Sequence, residues 1–88
     1  MGAVDLAISD YDEAISLDPK NVNAYDNRGS AHAKKGELDR AIEDYDKAIS
    51  LDPNDKAAYR LRGESYKAKG DMDHATADFQ GSEKLKSD

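Results

Sequence analysis

Between residues 41 and 51 the apolar side chains Ala41, Ile42, Tyr45, Ala48 and Ile49 fall at i, i+1, i+4, i+7 and i+8, with charged or polar residues between them. That spacing describes one face of an amphipathic helix. Residues 7–17 repeat the pattern almost letter for letter: AISDYDEAISLDP at 7–19 and AIEDYDKAISLDP at 41–53 agree at eleven of thirteen positions. Asp18-Pro19 and Asp52-Pro53 close the two copies. Proline lacks an N–H and disfavours helix in the residue before it, so the chain turns there. Asp5, Asp39 and Asp73 each precede a copy's alanine by two residues and are read as N-cap carboxylates. Gly36 and Gly70 fall where a preceding helix must end, in a place that suits a left-handed C-cap. The pattern predicts five helices, near 4–17, 23–35, 39–51, 57–69 and 73–85.

The period is 34 residues and runs through the whole chain. Ala24-Tyr25-Asp26-Asn27-Arg28-Gly29 returns as Ala58-Tyr59-Arg60-Leu61-Arg62-Gly63, and Lys35-Gly36-Glu37-Leu38-Asp39 returns as Lys69-Gly70-Asp71-Met72-Asp73. A third, degraded copy of the opening segment reads ATADFQGSEKL at 75–85, where Gly81 and Ser82 are expected to interrupt the last helix. Self-similarity at this period marks a stacked-repeat architecture. The division that follows is a single domain over 1–88: a half repeat at 1–21, a full repeat at 22–55, and a full repeat at 56–88 with a degraded last helix. Beginning halfway through a unit is read as the mark of a piece of a longer array.

These residues carry a resemblance. A 34-residue helix–turn–helix unit with Tyr25, Gly29, Ala41, Tyr45, Ala48 and Pro53, continued by Tyr59, Gly63, Tyr66, Ala75 and Phe79, resembles the tetratricopeptide repeat. The resemblance implies an all-α, right-handed superhelical αα solenoid of about two and a half repeats. Small residues at Gly29, Gly63, Ala41 and Ala48 then let paired helices approach, while the tyrosines fill the space between pairs. Arg28 and Arg62 stand where the family usually has leucine, and their stems are expected to pack while each guanidinium reaches water. His32 replaces a usual aromatic and is read as a partly buried structural histidine.

By the same resemblance, the first helix of each unit lines a concave groove that receives a peptide or helix of a partner. The groove positions are Asn23, Asp26, Asn27, Ser30, Ala33 and Lys34, then Ala57, Arg60, Leu61, Glu64, Lys67 and Ala68. Some members grip a partner's C-terminal carboxylate with Lys, Asn and Arg spread over three such helices. Asn27 matches the middle asparagine, but Ala57 and Leu61 stand where the later lysine and arginine belong, which argues against that clamp. Arg60 and Lys67 share a helical face, with Lys34 offered by the preceding unit, so acidic or C-terminal-carboxylate peptides are expected to bind better than basic ones. Glu64 is placed to pair weakly with Arg60.

Charge and composition narrow the rest. The net charge of −6 leaves no broad cationic face for nucleic acid or anionic membrane. It is unevenly spread, with −7 over residues 1–55 and +1 over 56–88. No apolar run spans a bilayer, the N-terminus lacks a signal-peptide pattern, and a cysteine-free chain fits a cytoplasmic location. There is no phosphate-cradling loop and no metalloprotease or EF-hand motif, so neither an enzyme nor a cofactor is expected. His74 lies near Asp71, Asp73 and Asp78, but acids at a helix start are favoured by its dipole without any metal. The recurring Asp10, Asp12, Asp44 and Asp46 are read as the solvated side of amphipathic helices. The functional reading is a non-enzymatic protein-interaction module. The alternative is a structural or designed repeat fragment whose behaviour is folding and self-association. Val4, Ala7, Tyr11 and Ala14 face a helix this chain does not contain, and a homo-oligomer through this open N-terminal end is expected.

Overall fold

The computed structural model describes residues 2–85 as five α-helices. These are α1 (Ala3–Leu17), α2 (Val22–Lys34), α3 (Leu38–Leu51), α4 (Lys56–Lys69) and α5 (Met72–Lys84). Each helix packs on the next in chain order, and α2 also touches α4, so the helices stack as an all-α repeat solenoid. Alternate helices α2 and α4 form one layer; α1, α3 and α5 form the other.

The turns obey the residues predicted to make them. Helices α1 and α3 stop one residue before Asp18-Pro19 and Asp52-Pro53. Gly36 and Gly70 take φ of +81° and +87°, conformations that a Cβ would strain. They allow the N–H of Glu37 to reach the His32 carbonyl at 2.9 Å and that of Asp71 to reach Tyr66 at 2.9 Å. Those bonds satisfy carbonyls that the helix ends leave open.

The caps differ from expectation. Asp5, Asp39 and Asp73 lie inside the first turns of their helices, because α1, α3 and α5 start earlier than the acids suggested. Asp5 and Asp39 instead take the ammonium groups of Lys35 (2.6 Å) and Lys69 across the repeat. The side chains that cap are Asn21, Asp55 and Asp71, accepting from the N–H groups of Ala24, Ala58 and His74 at 3.1, 3.0 and 3.2 Å.

Two close approaches set the width of each repeat. A Cβ on Gly29 would stand 2.7 Å from the Tyr45 ring, and one on Gly63 would stand 2.7 Å from Phe79. Tyr45 is 1% exposed, and Ala41, Ala48, Ala58 and Ala75 are fully buried. Between repeats, Ile49 and Leu51 pack with Val22 and Ile15 around Tyr25, Ala48 and Ala58. Thr76 and Glu83 of α5, one period after Ile42 and Ile49, are exposed. Gly81 and Ser82 do not interrupt α5, which runs through both to Lys84. Gly81 has ordinary van der Waals room beside Tyr59, and the buried Ser82 hydroxyl donates to the Lys56 carbonyl at 3.3 Å. The expectation of lost helicity extended to residues 86–88, which lie outside the described residues.

Candidate functional site

The site is built on α2 and α4, whose outer faces lie side by side. Two hollows open along them. The first, about 280 Å³, is lined by Ser30 and Ala33 of α2, Leu38 and Tyr45 of α3, and Leu61, Glu64, Ser65 and Ala68 of α4. The second, about 310 Å³, is lined by Ala3, Val4, Ala7 and Tyr11 of α1 and by Asn27, Ser30, Ala31 and Lys34 of α2. The two are one pocket repeated. Adding 34 to Val4, Tyr11, Asn27, Ser30, Ala31 and Lys34 gives Leu38, Tyr45, Leu61, Glu64, Ser65 and Ala68.

The groove positions read from the sequence divide unevenly between these hollows. Asn27, Ser30 and Lys34 line the second, and Ser30, Leu61 and Glu64 line the first. Arg60 is exposed and its guanidinium donates to Glu64 at 2.9 Å, as its spacing predicted. Asn23 and Lys67 are exposed on α2 and α4. Asp26 is half-buried and lies against Asp55 at the start of α4. Asp26 Oδ1 and Asp55 Oδ2 are both buried without a hydrogen-bond donor. Burial first, then the neighbouring Asp55 carboxyl and the charge of Asp52, pushes the Asp26 carboxyl up to about 8. Leu38, Tyr45 and Ser65 are part of the hollow although sequence reasoning passed over them. The 34-residue shift of Val4, Tyr11 and Ala31 is the signal that finds them.

Behind the groove runs a ladder of ion pairs, where the sequence reading needs correction. Arg28 reaches Asp44 with Nε and Nη2, at 2.9 and 2.7 Å, and Asp12 with Nη1 at 2.9 Å. One period later Arg62 makes the same three bonds, to Asp78 at 2.9 and 2.7 Å and to Asp46 at 2.8 Å. The guanidinium groups therefore do not run out to water. Each is fastened between three helices, and its charge is held more firmly than usual by the Asp44 or Asp78 hydrogen bonds. Asp44 is buried, not solvated, and Asp78 likewise, while Asp12 and Asp46 remain exposed at the outer rung. Bidentate geometry explains the choice of arginine where leucine would pack, since the carboxylate needs two parallel donors. Each guanidinium also lies over a tyrosine ring of its own helix, at 5.7 Å for Tyr25 and 5.4 Å for Tyr59.

The two histidines have structural partners. His32 is buried and bonds Glu37 through Nδ1 at 2.8 Å. His74 bonds Asp71 at 2.7 Å and stacks on Tyr66 with ring centres 4.9 Å apart. Among the described residues no cluster of three or more His, Cys, Asp or Glu is arranged to hold a metal ion. No helix there is long and apolar enough to cross a membrane.

The comparisons agree with this architecture. A family model described as TPR repeat matches residues 1–36 and 29–70. The second TPR of Spaghetti (RPAP3), solved bound to the HSP90 peptide SRMEEVD, is 29% identical over 97% of this chain and 79% of its own, with a TM-score of 0.91. Two MamA crystal structures are 36% and 35% identical, covering 85% and 90% of this chain, with TM-scores of 0.83 and 0.86. The chain spans only 44% and 43% of those MamA chains.

Proposed function

The chain belongs to the tetratricopeptide-repeat family, and from that premise we propose that it is a non-enzymatic module that holds a peptide or helix of a partner protein in the groove over α2 and α4. The family is in general one of protein-interaction modules. One observation carries the reading to this groove: in a chain of net charge −6, α4 exposes Arg60 and Lys67 against Glu64, and α2 exposes Lys34. The two hollows along it also repeat in position but not in chemistry. Packing alone demands no such difference. The hollow at Leu38, Leu61 and Ala68 is largely apolar, with Glu64 on its wall, while its counterpart offers the Asn27 amide and the Lys34 ammonium. An extended segment across both would seat an aliphatic side chain in one and an acidic or amide group in the other.

The free cations favour an acidic ligand. Lys34 and Lys67 are exposed, and Arg60 is held only by an exposed i,i+4 pair to Glu64, an interaction of roughly 0.2–0.5 kcal/mol. An incoming carboxylate can displace that contact. The peptide seen on the Spaghetti repeat is also acidic and supports this polarity, although Ala57 and Leu61 leave the clamp described above incomplete. Titration of a labelled acidic peptide, with a basic one of equal length as control, tests the reading. Arg60→Glu with Lys67→Glu is expected to weaken acidic-peptide binding at least about tenfold, and added salt to weaken it in the parent chain. Unchanged affinity in the double variant would refute the groove assignment.

A further inference from the structure

Two carboxyl groups meet where α2 passes the start of α4. Asp26 Oδ1 and Asp55 Oδ2 are both closed off from solvent, and no protein N–H or O–H reaches either. Carboxylates only accept, so these oxygens can bond each other only while one of the groups keeps its proton. Burial first, then the hydrogen bond to Asp55 and the charges of Asp55 and Asp52, favour the protonated form of Asp26. The proton belongs to Asp26, because Asp55 Oδ1 accepts the Ala58 N–H at 3.0 Å, at a helix start that favours negative charge. From α3 the Tyr45 phenol bears on the same place, its ionisation opposed by burial first and, among charges, by that of Asp26. On α4, Lys56 follows Asp55 in the chain, and Arg60 is engaged by Glu64.

The repeat does not demand this pair. One period before Asp55 stands Asn21, which caps α2 as Asp55 caps α4, so the cap needs no acid. One period after Asp26 stands the exposed Arg60, so that position needs none either. Asp26 is placed to matter to a ligand. It lies beside Asn27 and one helical turn from Ser30, the residue common to both hollows. Resting on the groove reading above, we infer that Asp26 and Asp55 form a proton switch on the groove, which holds an acidic ligand more tightly while the pair shares its proton than after the proton has left. Two effects act in one direction. The shared proton ties α2 to the first turn of α4, and its loss leaves two carboxylates facing each other across the joint between repeats. That loss also adds a negative charge one turn from Ser30, where an acidic peptide would lie. By linkage, binding such a peptide draws a proton onto the chain.

The full chain is titrated near pH 6.5 and near pH 9 with an N-acetylated peptide of glutamate, aspartate and leucine, whose own charge is constant over that range. Affinity is expected to be at least about fivefold weaker at the higher pH. Asp26→Asn gives Asp55 a permanent amide donor and carries no charge, so it should bind at the higher pH as the parent chain does at the lower. Asp55→Asn keeps the cap, as Asn21 does, and should also flatten the dependence, because either change removes the shared proton. Carbon-13 shifts of the side-chain carboxyls, followed against pH in the free chain, read the switch without any ligand. Asp26 should titrate at about 8 in the parent chain and far lower in Asp55→Asn. Equal peptide affinity at both pH values, a dependence that survives Asp26→Asn, or an Asp26 carboxyl that titrates in the ordinary carboxylate range overturns the switch and leaves the groove reading standing. A peptide that binds at neither pH refutes the groove reading itself, and the switch with it.

Discussion

Replacing Arg62 by leucine restores the residue type usual in this family, yet it should be among the most damaging substitutions in the chain. Asp78 has a side-chain exposure of 8%, and both its oxygens are taken by the Arg62 guanidinium. Leucine would leave that carboxylate desolvated and unpaired. Breaking a buried pair from one side typically costs about 3–5 kcal/mol. Arg62 is itself 20% exposed, so water can partly follow the loss, and about 2–4 kcal/mol is the better expectation. In a domain of this size each kcal/mol moves Tm by roughly 4–8 °C, so Arg62→Leu should lower it by about 8–30 °C. The outer rung is a built-in control. Asp46 is 53% exposed, and Asp46→Asn should cost under about 1 kcal/mol. Adding Asp78→Ala to Arg62→Leu removes the stranded charge and should recover part of the loss, because replacing both partners is far milder than removing one. Urea unfolding followed by circular dichroism measures the three variants against the parent chain. If Arg62→Leu costs no more than Asp46→Asn, or if Asp78→Ala adds to its effect rather than offsetting it, Asp78 is not a desolvated charge and the reasoning fails.

Glycine positions separate packing from propensity: Gly29→Ala should destabilise by about 1–3 kcal/mol through the 2.7 Å approach to a buried ring. Gly81→Ala, with 3.5 Å to Tyr59, should stabilise α5 by about 0.5–1 kcal/mol; thermal melts of both decide the contrast. Asp26 predicts a pH dependence. Its folded carboxyl titrates near 8 against an unfolded value near 3.8, so the folded chain holds a proton the unfolded chain has released. Stability from this group is therefore full below the lower value, falls as pH rises between the two, and is gone above the upper. Asp26→Asn should flatten the decline in Tm between pH 5 and pH 8.5 that the parent chain shows, and equal slopes in the two chains would count against it. Exchanging Asn27→Leu and Lys34→Ala with Leu61→Asn and Ala68→Lys moves the amide and the ammonium from one hollow to the other, so a peptide with one acidic and one aliphatic anchor should bind best with its sequence order reversed.

What could be read from the sequence is what recurs. The helices lie within two residues of their predicted starts and ends because proline and the αL glycines act locally, whatever the rest of the chain does. The small residues at Gly29 and Gly63 announced close approaches for the same reason. The ladder escaped because its meaning lies between helices. Asp44 stands beside Asp46 in a charged stretch, and alternation alone cannot say which of the two points inward. The signal was present in Arg28 and Arg62, two arginines at a packing position, each sixteen residues before an aspartate. The caps were misplaced because Asp5, Asp39 and Asp73 have another employment, with two of them holding lysines across the repeat. At Gly81 and Ser82 propensity was overruled by burial and by the bond to the Lys56 carbonyl.

Comparing the chain with itself, shifted by 34, separates two kinds of position. Arg28/Arg62, Gly29/Gly63, Asp44/Asp78, Gly36/Gly70 and Tyr25/Tyr59 are unchanged, and each makes a contact or a turn that the packing of the helices requires. Asn23/Ala57, Asp26/Arg60, Asn27/Leu61, Ser30/Glu64 and Lys34/Ala68 have all changed, two of them with a change of sign or loss of charge. These changed residues occupy the outward side of the same two helices. Stacking holds the first set fixed, because altering any member breaks a bond or meets a ring. It places no comparable demand on the second, whose side chains, apart from Asp26 against Asp55, face solvent or an open hollow. A surface with no such demand tolerates drift as readily as it accepts selection, so divergence by itself does not assign a function. The charge pattern adds what divergence lacks. In a chain of net charge −6, the outer face of α4 keeps Arg60 and Lys67 exposed against the single Glu64, and α2 exposes Lys34 at the neighbouring hollow. Cations grouped on one face of an acidic protein concentrate its attraction for anions there, and it is that asymmetry, more than the family's habit, that directs the binding reading to an acidic segment.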